Sequence, residues 1–216
     1  MNQLSRILEP FETHTQEYEN WFDEHPIIFK SEVEALREML PQGDSHGIEI
    51  GLGTGRFSIA LGIKEGVEPS FQMRKIAFER GIEVMDAVAE KLPYKDLHFD
   101  FVLMASCISY FFNMKKAFEE ANRVLKKGGS LIIGFIEKES IIGKSYSENK
   151  SKSTFYKQAN FYECKTIIKT LISCGFGQLK FIQTLFKPID EITEFEPSQS
   201  GYGKGSFVVI KAIKVS

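Results

Sequence analysis

Gly47-Ile48-Glu49-Ile50-Gly51-Leu52-Gly53-Thr54-Gly55-Arg56-Phe57 joins a short apolar run to a turn with glycine at every second position. Ile48 to Ile50 predicts a strand, and Phe57 to Leu61 opens a helix immediately after the turn. Glycine has no Cβ and takes positive φ freely, so the backbone bends tightly and a ligand can approach closely. A turn between strand and helix also aims free backbone N–H groups outward, which suits an adenosine-containing cofactor.

Outward from this turn, strands and helices alternate. Gly66-Val67-Glu68 predicts a brief second strand. Ser70 is a suitable N-cap for a helix that stops at Gly81. Ile82 to Ala87 predicts a third strand, and the apolar run Phe99 to Met104 a fourth covered on both faces. Asn113 caps an amphipathic helix whose Ala117, Phe118, Ala121, Val124 and Leu125 share one face, with Gly128-Gly129 as its expected end. Ser130 to Ile136 follows as a fifth strand. The alternation predicts an α/β protein with a doubly wound, Rossmann-like sheet and a ligand beyond the C-terminal strand ends. Glu49, Glu68, Ala89 and Met104 all fall at or just past such ends.

The flanks differ in texture. The first ~40 residues carry Phe11, Tyr18, Trp21 and Phe22 at helical spacing, and then Val33, Leu36 and Leu40. Pro26 separates the two segments and Pro41 stops the second. Glu137 to Lys157 is rich in Ser and Lys with no regular period, and is expected to be a loop or lid. Phe161 to Cys174 predicts a last helix. Leu179 to Phe186 and Ser206 to Val215 predict two strands that pair antiparallel, since no helix separates them. The organisation expected is one domain over 1–216: a helical cap at 1–43, a cofactor-binding core at 44–136, a variable lid at 137–160, and a last helix with a β-hairpin at 161–216.

The bulk properties narrow the function. The chain has 216 residues, 43% of them hydrophobic, and a formal net charge of −2, so no basic field invites nucleic acid. No apolar run approaches the ~18 residues of a membrane span. The three cysteines form no C-x-x-C pair, and no metal set is evident. The expectation is a soluble cytoplasmic protein with a small-molecule substrate, no nucleic-acid partner, no membrane insertion and no metal, acting as a monomer or homodimer.

The dinucleotide fingerprint G-x-G-x-x-G is met at Gly51 and Gly53, but Arg56 stands at its third glycine. Four segments instead resemble the class I S-adenosylmethionine (SAM)-dependent methyltransferases, closest to the small-molecule group that includes the ubiquinone and menaquinone type. They are Glu49 to Arg56, Gly66-Val67-Glu68-Pro69-Ser70, Ala89-Glu90-Lys91-Leu92-Pro93-Tyr94 leading into Phe99-Asp100-Phe101-Val102, and Ala121 to Gly129. They occur in the family's order, over roughly Gly47 to Phe135. The resemblance implies a seven-stranded sheet with an antiparallel last strand.

It also implies roles. Gly51 and Gly53 let the backbone approach the methionine part and ribose of SAM, Glu49 lies near the methionine amino group, and Glu68 accepts from both ribose hydroxyls. Ala89 and Glu90 border adenine, although Val88 stands where the family commonly has Asp. Leu52, Pro69, Val88 and Met104 complete the expected cofactor wall. Tyr18, in Tyr18-Glu19-Asn20-Trp21-Phe22, resembles a residue of the helix that closes over SAM.

For the acceptor, Ser106 to Phe112, including Ser106 and Tyr110, is the expected floor. Phe155-Tyr156 and Phe161-Tyr162 are expected at the lid. His25 is the preferred base should the acceptor need one, with His14 second. Ser106-Cys107-Ile108-Ser109 stands where nucleic-acid methyltransferases carry D/N-P-P-Y/F. Two readings outside this class stay open, a non-catalytic SAM-binding protein and an NAD-dependent oxidoreductase.

Overall fold

The structure, a computed structural model, describes residues 3–215; Met1 and Asn2 of the expected cap and Ser216 at the C-terminus lie outside the described residues. Strands β1 (Gly47–Ile50), β2 (Glu65–Val67), β3 (Glu83–Met85), β4 (Phe99–Ala105), β5 (Leu125–Ile136), β6 (Phe176–Thr184), β7 (Gln199–Ser200) and β8 (Phe207–Lys214) form one sheet in the order β3-β2-β1-β4-β5-β8-β6-β7. The β1 to β5 pairings are all parallel, whereas β8 runs antiparallel to both β5 and β6. The antiparallel hairpin is therefore present. The sheet has one strand more than the seven expected because the two-residue β7 adds to the edge at β6.

The order reverses between β1 and β4, which opens a crevice at their C-terminal ends. Strand β4 shows why the sheet needs cover on both faces. Phe99, Val102 and Met104 join one core cluster with Ala117, Phe118 and Ala121 of helix α6 (Met114–Val124). Phe101, Leu103 and Ala105 join the other, with Val33 and Leu36 of helix α3 (Pro26–Met39).

The capping signals act locally as their chemistry requires. Ser70 accepts from the Met73 N–H at the start of α5 (Phe71–Glu79), and Asn113 from the Lys116 N–H at the start of α6. Two boundaries move. Helix α6 ends at Val124, not at Gly128-Gly129. Leu125 already pairs with Phe99, and the double glycine sits where the β4–β5 register shifts between Phe99 and Phe101. The N-terminal segment divides at His14 into α1 (Gln3–Thr13) and α2 (Thr15–Glu24) before Pro26 opens α3.

Residues 137–160 are ordered, with helix α7 (Ile141–Glu148) capped by Ser140 and two short 3₁₀ turns after it. Of this helix, Ile142 and Gly143 are the buried residues, so its amphipathic signal is weak in the sequence. The segment is tied at both ends. The Glu137 carboxylate accepts from the N–H groups of Glu139 (2.7 Å) and Cys164 (3.3 Å), and the Asn160 N–H donates to the Ser109 carbonyl at 2.7 Å. Helices α4 (Arg56–Leu61) and α8 (Cys164–Ser173) complete the layers.

Candidate active site

At the end of β1 the chain turns back on β2, with the Gly51 N–H donating to the Val67 carbonyl at 2.8 Å. Gly51 and Gly53 have φ of 66° and 57°, where a side chain is strained. Space is short as well: a Cβ on Gly51 would lie 2.8 Å from Cys107 Cβ, and one on Gly53 3.0 Å from the Tyr18 hydroxyl. The turn thus presents bare backbone to a cavity of about 530 Å³.

Glu68 follows β2 and is 7% exposed. Its Oε2 accepts from the Gly53 N–H at 2.9 Å and its Oε1 from the Ser70 N–H at 2.8 Å, which fixes the carboxylate and leaves lone pairs free. Burial pushes its pKa up to about 7, against those two hydrogen bonds. Glu49, two residues before the turn, is 1% exposed. Its Oε2 accepts from the Ser58 hydroxyl, while its Oε1 is buried without a partner. Burial, opposed by the Ser58 hydroxyl and reinforced by the charge of Glu68, raises this carboxyl to about 8.

Pro69, Val88, Ala89 and Glu90 continue the wall. Glu90 accepts from the Asn113 N–H at 3.0 Å, which ties this loop to the cap of α6. Arg123, from the last of the four sequence segments, straps the next stretch. It donates to the carbonyls of Tyr94 (2.8 Å) and Leu92 (3.1 Å) and to the carboxylates of Asp96 and Glu120.

Helix α2 closes the cavity from above. Glu19 is buried and accepts from Thr54, from Arg56 Nε at 3.0 Å and Nη2 at 2.7 Å, and from Arg80. Burial alone would raise this carboxyl, but the hydrogen bonds from Arg80, Arg56 and Thr54 outweigh it and hold it low. Arg56, the residue in place of the third dinucleotide glycine, is thus part of the clamp that docks α2 on the turn. Tyr18 of α2 packs against Phe22 (5.1 Å between ring centroids), and Phe11 meets Tyr110 edge-on at 5.0 Å.

Ser106, Tyr110, Tyr146, Tyr156, Phe161 and Glu32 also line the cavity. Ser106 has φ of 54°, a conformation that costs a non-glycine residue on the order of 1–3 kcal/mol. It directs the chain from β4 along the cavity floor.

The cavity therefore gathers Tyr18, Gly51, Gly53, Glu68, Pro69, Val88, Ala89, Glu90, Ser106, Tyr110 and Tyr156. Other expectations need correction. Leu52 turns away from the cavity and packs with Ala77 and Ile82. Met104 is fully buried on the α6 face of the sheet, because strand alternation points it there. Glu49 lies in β1 and reaches the site by charge, not as lining. His25 does not line the cavity: its ring stacks on Trp21 at 4.8 Å and its Nδ1 is 2.9 Å from the Trp21 carbonyl, at the junction of α2 and α3. His14 pairs with Glu17 at 2.6 Å on the surface.

Glu32 and Tyr146 are lining residues not singled out from the sequence. Glu32 did leave a signal there, as an acid in the i, i+4 series Ile28, Glu32, Leu36 on the apolar face of α3. Among the described residues no group of His, Cys, Asp and Glu could hold a metal ion, and no helix is long and apolar enough to cross a membrane.

The residues at the turn fit SAM. A buried carboxylate oxygen without a partner, at Glu49, suits an ammonium; the free lone pairs of Glu68 suit hydroxyls; and the bare turn admits close approach.

Comparison with known proteins agrees. Residues 48–133 match the family model described as a methyltransferase domain. An uncharacterized protein of Methanocaldococcus jannaschii is 49% identical over 205 residues, 95% of this chain and 98% of the relative. The crystal structure of a Thermotoga maritima SAM-dependent methyltransferase, described as a possible histamine N-methyltransferase, superposes with a TM-score of 0.93 at 45% identity, covering 96% of this chain and 99% of that one. A malonyl-[acyl-carrier protein] O-methyltransferase of Marinomonas sp. is 28% identical over 151 residues, 63% of this chain and 53% of the relative.

Proposed function

The chain belongs to the class I SAM-dependent methyltransferases, and we propose that it methylates a small molecule held in the aromatic half of the cavity. One observation carries this reading. A single cavity of about 530 Å³ runs from the glycine turn to the tyrosines of the segment after β5, with room for a ligand beyond the turn. Bound SAM supplies an electrophilic methyl group on a sulfonium.

The protein's own part is positioning and exclusion of water. Gly51 and Gly53 form the floor on which the cofactor rests. Glu68, already oriented by Gly53 and Ser70, receives the ribose hydroxyls, and Glu49 balances the methionine ammonium. Pro69, Val88, Ala89 and Glu90 border the adenine. Tyr18, docked through the Glu19 clamp, closes over the turn. Ser106, Tyr110 and Tyr156 line the acceptor side. Holding an acceptor in line in a dry aromatic pocket accounts for much of the barrier reduction that such a transfer needs.

We read residues 1–216 as one functional unit of cap, core, lid and C-terminal hairpin, working in the cytoplasm. The three unpaired thiols of Cys107, Cys164 and Cys174 suit that reducing compartment.

Thermal unfolding with added ligands tests the cofactor. SAM and S-adenosylhomocysteine raise the melting temperature and NAD does not; stabilisation by NAD alone would overturn the reading. A methyl-transfer screen over amines, phenols and quinone-like rings then tests catalysis. Binding without transfer to any of them would favour a non-catalytic SAM-binding protein.

A further inference from the structure

We propose that the acceptor carries a cationic amine, and that Glu32 of α3 is the carboxylate that receives it. This inference rests on the methyltransferase reading above and adds the chemical class of the acceptor.

Glu32 is 5% exposed, lines the cavity, and stands on the buried stripe of α3 between Ile28 and Leu36. Among the described residues no hydrogen bond or ion pair reaches its carboxylate. Every other buried glutamate among them has such a partner. Glu19 has Arg56 and Arg80, Glu49 has Ser58, and Glu68 has two backbone N–H groups. Glu90 accepts from Asn113, Glu137 from Glu139, and Glu196 from the Phe186 N–H.

An unpaired carboxylate in an apolar wall is costly in either form. The ion lacks a counter-charge from the chain, and the neutral acid gains no hydrogen bond from it. Burial accordingly pushes the Glu32 carboxyl up to about 8. A cation arriving from outside the chain satisfies both needs.

The rest of the cavity selects the same sign. Its lining includes Glu17, Glu24, Glu32, Glu68 and Glu90, and no Lys, Arg or His. An anionic acceptor would meet no counter-charge there. Near Glu32 the wall is aromatic. Tyr146 and Tyr156 lie 4.4 Å apart between ring centroids, and Phe161 is 6.1 Å from the first and 5.5 Å from the second. Such ring faces attract a desolvated cation and cover its apolar neighbours.

The tyrosines also connect the two ends. The charge of Glu32 acts on Tyr146 and Tyr156, Tyr156 acts on Tyr110 and Tyr18, and the Tyr18 hydroxyl stands over Gly53. Glu32 and the turn line the same cavity, so an amine seated at Glu32 shares one space with the cofactor turn.

Calorimetric titration of the S-adenosylhomocysteine-saturated protein tests this with matched probes. 2-Phenylethylamine is compared with 2-phenylethanol, and hexylamine with hexan-1-ol. At least one amine should bind about tenfold or more tightly than its alcohol, the size expected of a hydrogen bond to a charged group. Glu32→Gln should abolish that preference while leaving S-adenosylhomocysteine affinity within about twofold. Alcohols binding as tightly as amines in both pairs, or a preference that survives Glu32→Gln, would overturn the proposal. The wild-type comparison decides the matter by itself if Glu32→Gln does not fold. Failure of S-adenosylhomocysteine to bind the wild-type protein would instead overturn the methyltransferase reading.

Discussion

At the glycine turn the cavity wall is backbone, and the carboxylate beside it, Glu68, is held by two N–H groups of the neighbouring loops. At the opposite end the wall is made of side chains from α3, α7 and the turn around Tyr156, and its charged group, Glu32, meets no hydrogen-bond or ion-pair partner among the described residues. The first end is preorganised for a ligand of fixed shape. The second leaves its one strong interaction for the ligand to complete. A cofactor common to a family suits the first arrangement, and an acceptor particular to one protein suits the second.

The sharpest way to break this contrast is to put a side chain on the turn. Gly53→Val places a β-branched residue at φ 57° against the Tyr18 hydroxyl, and should weaken S-adenosylhomocysteine binding by more than about 100-fold in calorimetry. A change under threefold would mean that the turn is not the cofactor's floor.

Next in size is Glu68→Ala. It removes the acceptor of the Gly53 and Ser70 N–H groups along with the ribose partner, and should cost about 10- to 100-fold in the same affinity, since hydrogen bonds to charged groups contribute about 1.5–3 kcal/mol. Unchanged affinity would remove the ribose assignment.

Smaller still, Arg56→Ala opens the Glu19 clamp. It should lower stability to denaturant by about 1–3 kcal/mol, less than for a fully buried pair because Arg56 is partly open to water. No loss would show that Arg80 and Thr54 hold Glu19 without help from Arg56. Since the clamp holds the Glu19 pKa down, its contribution is present above the ordinary carboxylate range and fades as pH falls through the lowered value.

A further expected effect is a slope with pH. Glu32, Glu49 and Glu68 are raised from 4.5 to about 8, 8 and 7, so the folded state holds protons that the unfolded chain has released. Stability of the ligand-free protein should therefore be highest below about pH 4.5 as far as these groups decide it, and decline as pH rises toward 8. S-adenosylhomocysteine should flatten the part owed to Glu49 and Glu68, and Glu32→Gln the remainder. A melting temperature that rises steadily from pH 5 to 8 in the ligand-free protein would contradict these shifts.

The same contrast explains what was legible in the sequence. A backbone site needs glycines at set positions and caps beside them, so Gly51, Gly53, Glu68, Ser70 and Asn113 stand out in one dimension. The wall around Glu32 is assembled from helices more than 100 residues apart, and no spacing links Glu32 to Tyr146 or Tyr156. The helix α7 is hidden for a related reason, since only Ile142 and Gly143 of it are buried and Ile141 faces solvent. His25 attracted attention by chemistry alone, and the geometry gives it to Trp21. Met104 faces the α6 side, and a strand buried on both faces hides in the sequence which way each side chain points.

The Glu19 clamp joins the cap helix to Thr54 and Arg56 of the very turn on which the cofactor is proposed to rest. Docking of the helix and occupancy of the turn then share one equilibrium. Whatever order the ligand imposes on the turn tightens the helix, and by reciprocity a docked helix raises the ligand's affinity by the same coupling.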